Sequence, residues 1–471
     1  MFPLLMLMVL LPFFAVIPIL LLGERDAHKV SLVFSTILLA FAFMVLYLIS
    51  KHGLASLTYA HEYLPNIGIS LGFQITNLTL ILVLMTVVVF FAASMVNSYF
   101  ITKDRKLYSV IFMLSQGGAL GLFLSSNLFL FYIFWEIAEF AMFFIIYSYG
   151  GYDRRYAAIK FIIYSIIASL LLLIAIIMLF YYSPTQTFDI NSLIQYSNGL
   201  PLSVQPIILV LLLAAFMIKA PIFPFHNWLP DAHTEAPTTG SMILAGVLLK
   251  FGGYGLLLMF LMIPIAVHYS PYIAAIFAFS AIYGAFVAMR QTHLKRMIAY
   301  TSIVDMGIIA VGIAAINSFG TAGALYGMLA HGFAISLLFL LAGVIDKVYG
   351  TLMIDKLKGI IATNPAVVYL FLFGVLAAIG LPLTSGFIGD LLIFIGAFKT
   401  YGIIGLLPIA AILLVGAYFF WVVEKSFFSI KNKSETYALI SRSIFASSGF
   451  LALFAILLGI IPSVLLSLST L

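Results

Sequence analysis

Residues 205–235 read QPIILVLLLAAFMIKAPIFPFHNWLPDAHTE. The run up to Ile218 is apolar enough to enter a bilayer, but Lys219 closes it and Pro221, Pro224 and Pro230 follow. A helix rises about 1.5 Å per residue, so Lys219 lies roughly 20 Å along its segment, too deep to snorkel to either headgroup layer. Proline removes a donor from the helical ladder, and lipid offers no replacement partner. Such a break survives only where it faces protein or a wet cavity. The stretch therefore predicts a broken transmembrane helix inside a bundle, with a lysine at the break.

The rest of the chain agrees. Of 471 residues, 64% are hydrophobic and only 8% are charged. A soluble surface needs far more charge, so a soluble globule, a disordered chain and a nucleic-acid binder are excluded. The sequence has no cysteine, which removes disulfides, thiolate metal sites and cysteine-held Fe–S clusters. The opening segment lacks a basic start and a cleavage site, so it reads as a first spanning helix rather than a leader.

A ruler of about 20 apolar residues marks fourteen candidate spans: 2–23, 29–50, 77–100, 108–124, 127–149, 156–182, 205–235, 238–263, 268–289, 297–316, 319–345, 366–400, 402–423 and 441–468. The twelfth is broken like the seventh, by Gly380, Pro382, Ser385 and Gly386. Of 22 Lys and Arg, 18 fall in odd-numbered loops and only Lys51 and Lys399 in even-numbered ones. By the positive-inside rule both termini are expected on the outer side. The expected fold is an all-α polytopic membrane protein of about 14 transmembrane helices, with no strands and no extramembrane domain. Pro221 and Pro382 lie 161 positions apart and are entered from opposite sides. That predicts two inverted five-helix repeats, 108–263 (helices 4–8) and 268–423 (helices 9–13), after N-terminal helices in 1–107 and before a last helix in 441–471.

Ionisable groups at the bilayer centre cost roughly 2.5–3.5 kcal/mol on insertion scales, yet this chain places several there. They are Glu136 and Glu139 on the fifth span, Lys219 and Lys250 on the seventh and eighth, Asp305 on the tenth, His331 on the eleventh and Asp390 past the twelfth break. Glu136 and Glu139 are three apart, close enough to compete for ionisation. Asp390 also suits a helix N-cap. Desolvation disfavours an ammonium and a nearby carboxylate restores it, so an amine that gains and loses such a partner takes up and releases a proton. The string therefore reads as a relay for protons or cations that needs no cofactor. Asp305 is a hard-oxygen group as well as a proton carrier, so it is expected to line the hydrated path and to tune it, toward Na⁺ in place of H⁺. The rival reading uses His226, Asp231 and His233 in HNWLPDAH as metal ligands. Their spacing is not a zincin pair and Pro230 interrupts it, so no metal is expected.

These residues also resemble a known family. The segment KAPIFPFHNWLPDAHTEAPTTGSMILAGVLLKFGGYGLL, 219–257, is similar to the most characteristic stretch of the antiporter-like subunits of respiratory complex I and of Mrp-type cation/proton antiporters. WE at 135–136, LKRMIAYTS at 294–302, HGFAISLLFLLAGV at 331–344, IGLPLTSGFIGD at 379–390 and GIIPSVLL at 459–466 match in the same order. The His–Gly pair at 331–332, the acid after GFIG and the end after helix fourteen look like the M-type rather than the L-type subunit. The resemblance implies that Glu136 and Lys219 are the paired groups of the ion channel, and that Lys250 links two half-channels beside His331. Asp390 stands where the M-type subunit usually has glutamate, Asp305 where it has histidine, and His293 where an aspartate precedes LKR. The last two departures leave room for relatives that do not use NADH. The implied role is an ion-translocating subunit, of H⁺ or Na⁺, in a complex I-like redox-driven pump of the plasma membrane. It would carry no cofactor itself, and would pack with other antiporter-like membrane subunits, lipid and peripheral Fe–S subunits. The alternatives are an Mrp-type antiporter subunit without a redox partner and, more remotely, an intramembrane metal-dependent enzyme.

Overall fold

A computed structural model describes residues 4–53, 58–64, 69–429 and 440–463. Thirteen helices in it are long and apolar enough to cross a membrane. We number the spans α1 (Leu4–Leu21), α2 (Ala27–His52), α3 (Asn77–Phe100), α4 (Arg105–Leu124), α5 (Leu128–Tyr149) and α6 (Arg154–Tyr182). The seventh is split into α7a (Gln205–Lys219) and α7b (Trp228–Glu235), followed by α8 (Thr238–Met262), α9 (Ile265–Met289), α10 (Leu294–Ala314) and α11 (Ser318–Tyr349). The twelfth is split into α12a (Pro365–Ala378) and α12b (Ser385–Tyr401), and α13 (Ile409–Phe427) and α14 (Arg442–Ile460) complete the set. Neither half of the seventh span is long enough to cross a membrane alone, which reconciles thirteen long helices with fourteen spans. The end of the expected fourteenth span, 464–468, lies outside the described residues.

The protein sorts its helices by burial. α8 and α11 are buried on every side, and α3 and α10 nearly so, while α2 and α6 turn broad apolar faces outward. Helices apolar all round belong in the centre of such a bundle. The 32-residue α11 is its central pillar, about 48 Å long at 1.5 Å per residue, with His331 near mid-length.

Both breaks are closed by protein, as lipid requires. At the seventh, Ile222 N–H donates to Met217 O across five residues at 2.9 Å, and Trp228 Nε1 donates to Ile218 O at 2.9 Å. At the twelfth, Leu381 N–H reaches back five residues to Leu376 O at 2.9 Å. Gly380 makes that turn with φ +71°, a left-handed backbone that glycine adopts without strain.

Two features depart from the sequence reading. Strands were not expected, but Thr58–Leu64 and Ile69–Gln74 pair as an antiparallel hairpin. It seals the start of α5: Ser126 N–H donates to Gly72 O at 3.0 Å, and Asn127 Nδ2 donates to Ser70 O at 2.6 Å. These short strands pair at the end of the bundle, where loop backbone needs partners. In α8, residues Leu244–Leu248 form a π-turn rather than continuous α-helix. Leu249 N–H bonds Leu244 O at 3.3 Å, five residues back. Such bulges re-aim the side chains that follow them, and Lys250 is the next but one.

Candidate functional site

Lys219 is the last residue of α7a. The exposed carbonyls of a helix C-terminus favour a cation there. Its Nζ forms an ion pair with Glu139 Oε1, and the two side chains are 2% and 1% exposed. Ser165 Oγ on α6 donates to the other carboxylate oxygen, Oε2, at 2.7 Å. The rings of Trp135, Phe161, Trp228 and Phe251 surround the amine at 5.5–5.9 Å from their centroids. Aromatic faces attract an ammonium, so the cage holds the charge while excluding water.

The pairing of Lys219 with Glu136 is therefore corrected: the ion pair uses Glu139. Helical spacing explains it. Successive residues turn about 100°, so Glu139, four beyond Trp135, returns to within about 40° of the tryptophan's inward face. Trp135 is fully buried, whereas Glu136 is turned toward α6 and is only half-buried. Its carboxyl lies beside Tyr132 and Ser169, and its Oε1 has no hydrogen-bond partner.

Lys250 lies just past the π-turn and is 0% exposed. Its Nζ donates to Ala245 O at 2.5 Å and lies 2.6 Å from His331 Nδ1 on α11. The far nitrogen, Nε2, stands 3.9 Å from Asp305 Oδ2 on α10. Asp305, His331 and Asp390 line one small cavity. Asp390 sits on α12b with its Oδ2 against the twelfth break: a Cβ placed on Gly380 would come within 2.7 Å of it. Four of the seven expected residues, Lys250, His331, Asp305 and Asp390, thus form one cluster, and Glu139 and Lys219 form a second with Glu136 at its edge.

The clusters meet through α8. Gly252 packs so closely on the seventh break that a Cβ there would lie 2.4 Å from Ala220 N. Phe251, next in chain to Lys250, is one of the four rings around Lys219. No hydrogen bond joins the two lysines directly among the described residues.

Two further buried residues lie outside the expected relay, His233, read from the sequence only as a metal candidate, and Lys295. His233 is wholly buried, stacks flat on Phe339 with centroids 4.5 Å apart, and has neither ring nitrogen hydrogen-bonded. It lies within electrostatic range of Lys250, Lys295 and His331. Lys295, counted above as a loop charge, is buried and donates to the carbonyls of Ala236 and Thr234 after and within α7b. Nothing in spacing alone separates these two from ordinary loop polar residues.

The HNWLPDAH segment does not gather its ligands. Asp231 is clasped by Lys160 Nζ at 2.6 Å and Arg296 Nη1 at 2.7 Å, which ties α7b to α6 and α10. Among the described residues no three His, Asp or Glu side chains converge on a common metal position. At the start of α10, His293 Nδ1 accepts from Arg296 N–H at 3.4 Å. Burial, with the Lys295 and Arg296 charges, pushes His293 down to about 4, so the imidazole is neutral and keeps its accepting lone pair.

Residues 125–415 match the model of the family described as NADH:quinone oxidoreductase/Mrp antiporter, transmembrane. The chain belongs to this family. It is 35% identical over 428 residues to NADH-quinone oxidoreductase subunit M of Rickettsia bellii (strain RML369-C), covering 88% of this chain and 86% of that one. It superposes on a chain of respiratory complex I from Thermus thermophilus with bound NADH at TM-score 0.90 and 27% identity, over 99% of this chain and 98% of that one. A chain of the Mrp complex from Dietzia sp. DQ12-45-1b shares the fold at TM-score 0.85 and 19% identity, over 98% of this chain and 96% of that one. The M-type family resemblance read from the motifs is borne out. The buried Glu139, Lys219, Lys250 and His331 fit a proton-translocation relay within that family fold.

Proposed function

We propose that this chain is the proton-translocating M-type membrane subunit of a complex I-like redox-driven pump. The observation that carries this reading is the contact of Lys250 Nζ with His331 Nδ1 at 2.6 Å, both fully enclosed in the centre of the bundle. An amine and an imidazole so placed can pass a proton only to each other or to the next polar group, which is what a relay needs.

In this reading Lys219 takes up a proton while paired with Glu139 and gives it up when that pair opens. Glu136 stands at the edge of the pair as the second carboxylate. The step from Lys219 to Lys250 passes the aromatic packing around Phe251 and requires transient water. From Lys250 the proton continues through His331 toward Asp305 and Asp390. His233 and Lys295 form a side branch toward the α7b end.

The two inverted repeats, helices 4–8 and 9–13, remain part of the proposal. Supporting them, the broken helix is the fourth member of each set, the seventh span of helices 4–8 and the twelfth of helices 9–13. Both breaks also close with a five-residue reach. We place the protein in the plasma membrane with both termini outside, on the loop-charge asymmetry. The cofactor-free chain would pack beside other antiporter-like subunits and depend on peripheral Fe–S subunits for its driving force. The 35% identity to a subunit M favours this over an Mrp-type complex. Purification of the native complex tests it: Fe–S and quinone-reactive subunits should accompany the chain, and small membrane subunits alone would favour the antiporter.

A further inference from the structure

The cavity between α10, α11, the twelfth break and α12b has a volume of about 20 Å³. That is room for one water, which needs two to four polar partners. Three polar side chains face it: Asp305, His331 and Asp390. The remaining wall is apolar or glycine, including Ile309, Gly327 and Ala330.

The histidine is aimed. Lys250 Nζ as an ammonium has donors only, so His331 Nδ1 must accept from it and the ring proton sits on Nε2. His331 is 4% exposed and its Nε2 has no hydrogen-bond partner. Asp305 Oδ2, at 3.9 Å, is beyond direct hydrogen-bond reach. The cavity leaves room off the direct line for a water about 2.8 Å from each, and Asp390 borders the same space.

We propose that Asp305 and Asp390 hold one proton between them through that water, and that this carboxylate pair receives the proton leaving Lys250. The proposal rests on the relay reading above and adds that the two acids at its end act as one acceptor sharing a proton. Two carboxylates around a one-water cavity in low dielectric do not both ionise, and they titrate as a unit. The groups that face them set the balance. Lys250 on α8 and His331 on α11 lie on one side, and Tyr418 on α13, hydrogen-bonded to Thr301 at 2.6 Å, lies within electrostatic range of Asp305.

The step balances. The Lys250 ammonium gives a proton to His331 Nδ1, and His331 Nε2 gives its proton to the water. The water passes one to the ionised member of the pair. Lys250 becomes neutral, His331 stays neutral with its ring proton now on Nδ1, and the pair goes from one proton to two. Loss of one proton outward, with return of the imidazole tautomer, resets it. A hard cation wants about six oxygen ligands, and two carboxylates beside an imidazole in this space supply too few.

The test uses the intact complex in proteoliposomes, with assembly checked on native gels. Asp305→Asn and Asp390→Asn should each remove about two-thirds or more of this subunit's share of the protons moved per electron, and the double variant should be no worse than the worse single one. Asp305→His, which can still carry a proton, should recover more than half of the loss. The infrared band of a protonated carboxyl should vanish in either single variant, a readout independent of turnover. Full proton movement in Asp305→Asn, additive losses, a carboxyl band that survives either substitution, or a requirement for Na⁺ would each overturn the pair. Lys250→Ala separates the two levels. If it removes this subunit's share of transport while Asp305→Asn does not, the relay stands and the pair falls. If Lys250→Ala transports normally, the relay itself falls.

Discussion

Lys219 makes its ion pair with Glu139, three residues beyond the glutamate that follows Trp135. Glu136 keeps one carboxylate oxygen buried without a partner. The two acids thus divide the work: one neutralises the lysine at rest, and the other stands beside the pair.

Removing Glu139 leaves a buried amine without its counter-charge, the situation that costs about 3–5 kcal/mol when one partner of a buried pair is deleted. The lysine responds by shedding its proton. Glu139→Gln and Lys219→Ala should each cut this subunit's share of coupled transport by about tenfold or more, and the double variant should match the singles. Glu136→Gln should lose less. Dye-quench assays in inverted vesicles measure this, and a Glu136→Gln defect as deep as that of Glu139→Gln would make the two acids a coupled site.

Asp231 binds two cations from helices far apart in sequence, Lys160 and Arg296. Charge-assisted hydrogen bonds contribute roughly 1.5–3 kcal/mol each when well enclosed, and less here where Arg296 is partly exposed. Asp231→Ala should lower the unfolding temperature of the detergent-solubilised complex and raise proteolysis near α7b. An unchanged melting curve would show that the clasp is idle.

His293 precedes LKR, and it caps α10 only as neutral imidazole. Its folded value of about 4 lies below the ordinary histidine value of 6.5. The unfolded chain therefore binds more protons between those limits, so this contribution is full above about pH 6.5 and is lost as pH falls toward 4. His293→Asp should flatten the fall in stability across that window, and His293→Ala should cost about 1 kcal/mol at neutral pH through loss of the cap. Thermal melts at pH 7, 5.5 and 4.5 check both.

Much of the architecture was legible because lipid allows so few solutions. Pro221 and Gly380 marked both breaks, and fourteen apolar runs marked the spans. Lys250 and His331 stood out because charge is rare at that depth. What stayed hidden depends on rotation and local winding. Glu136 and Glu139 look equivalent until Trp135 is seen to point inward. The π-turn at Leu244–Leu248 has no proline to announce it. The strands Thr58–Leu64 and Ile69–Gln74 are too short and polar to compete with the surrounding helical signal. His233 read as a metal candidate and Lys295 as loop polarity, because the burial of each comes from another element, α11 against His233 and the α7b end against Lys295.

The central claim is that the buried lysines carry the translocated proton. The most direct measurement is the ratio of protons moved to electrons transferred in proteoliposomes containing the intact complex with Lys250→Ala. The account predicts that electron transfer continues while the ratio falls by the share this subunit carries. An unchanged ratio, with the complex fully assembled, would contradict it.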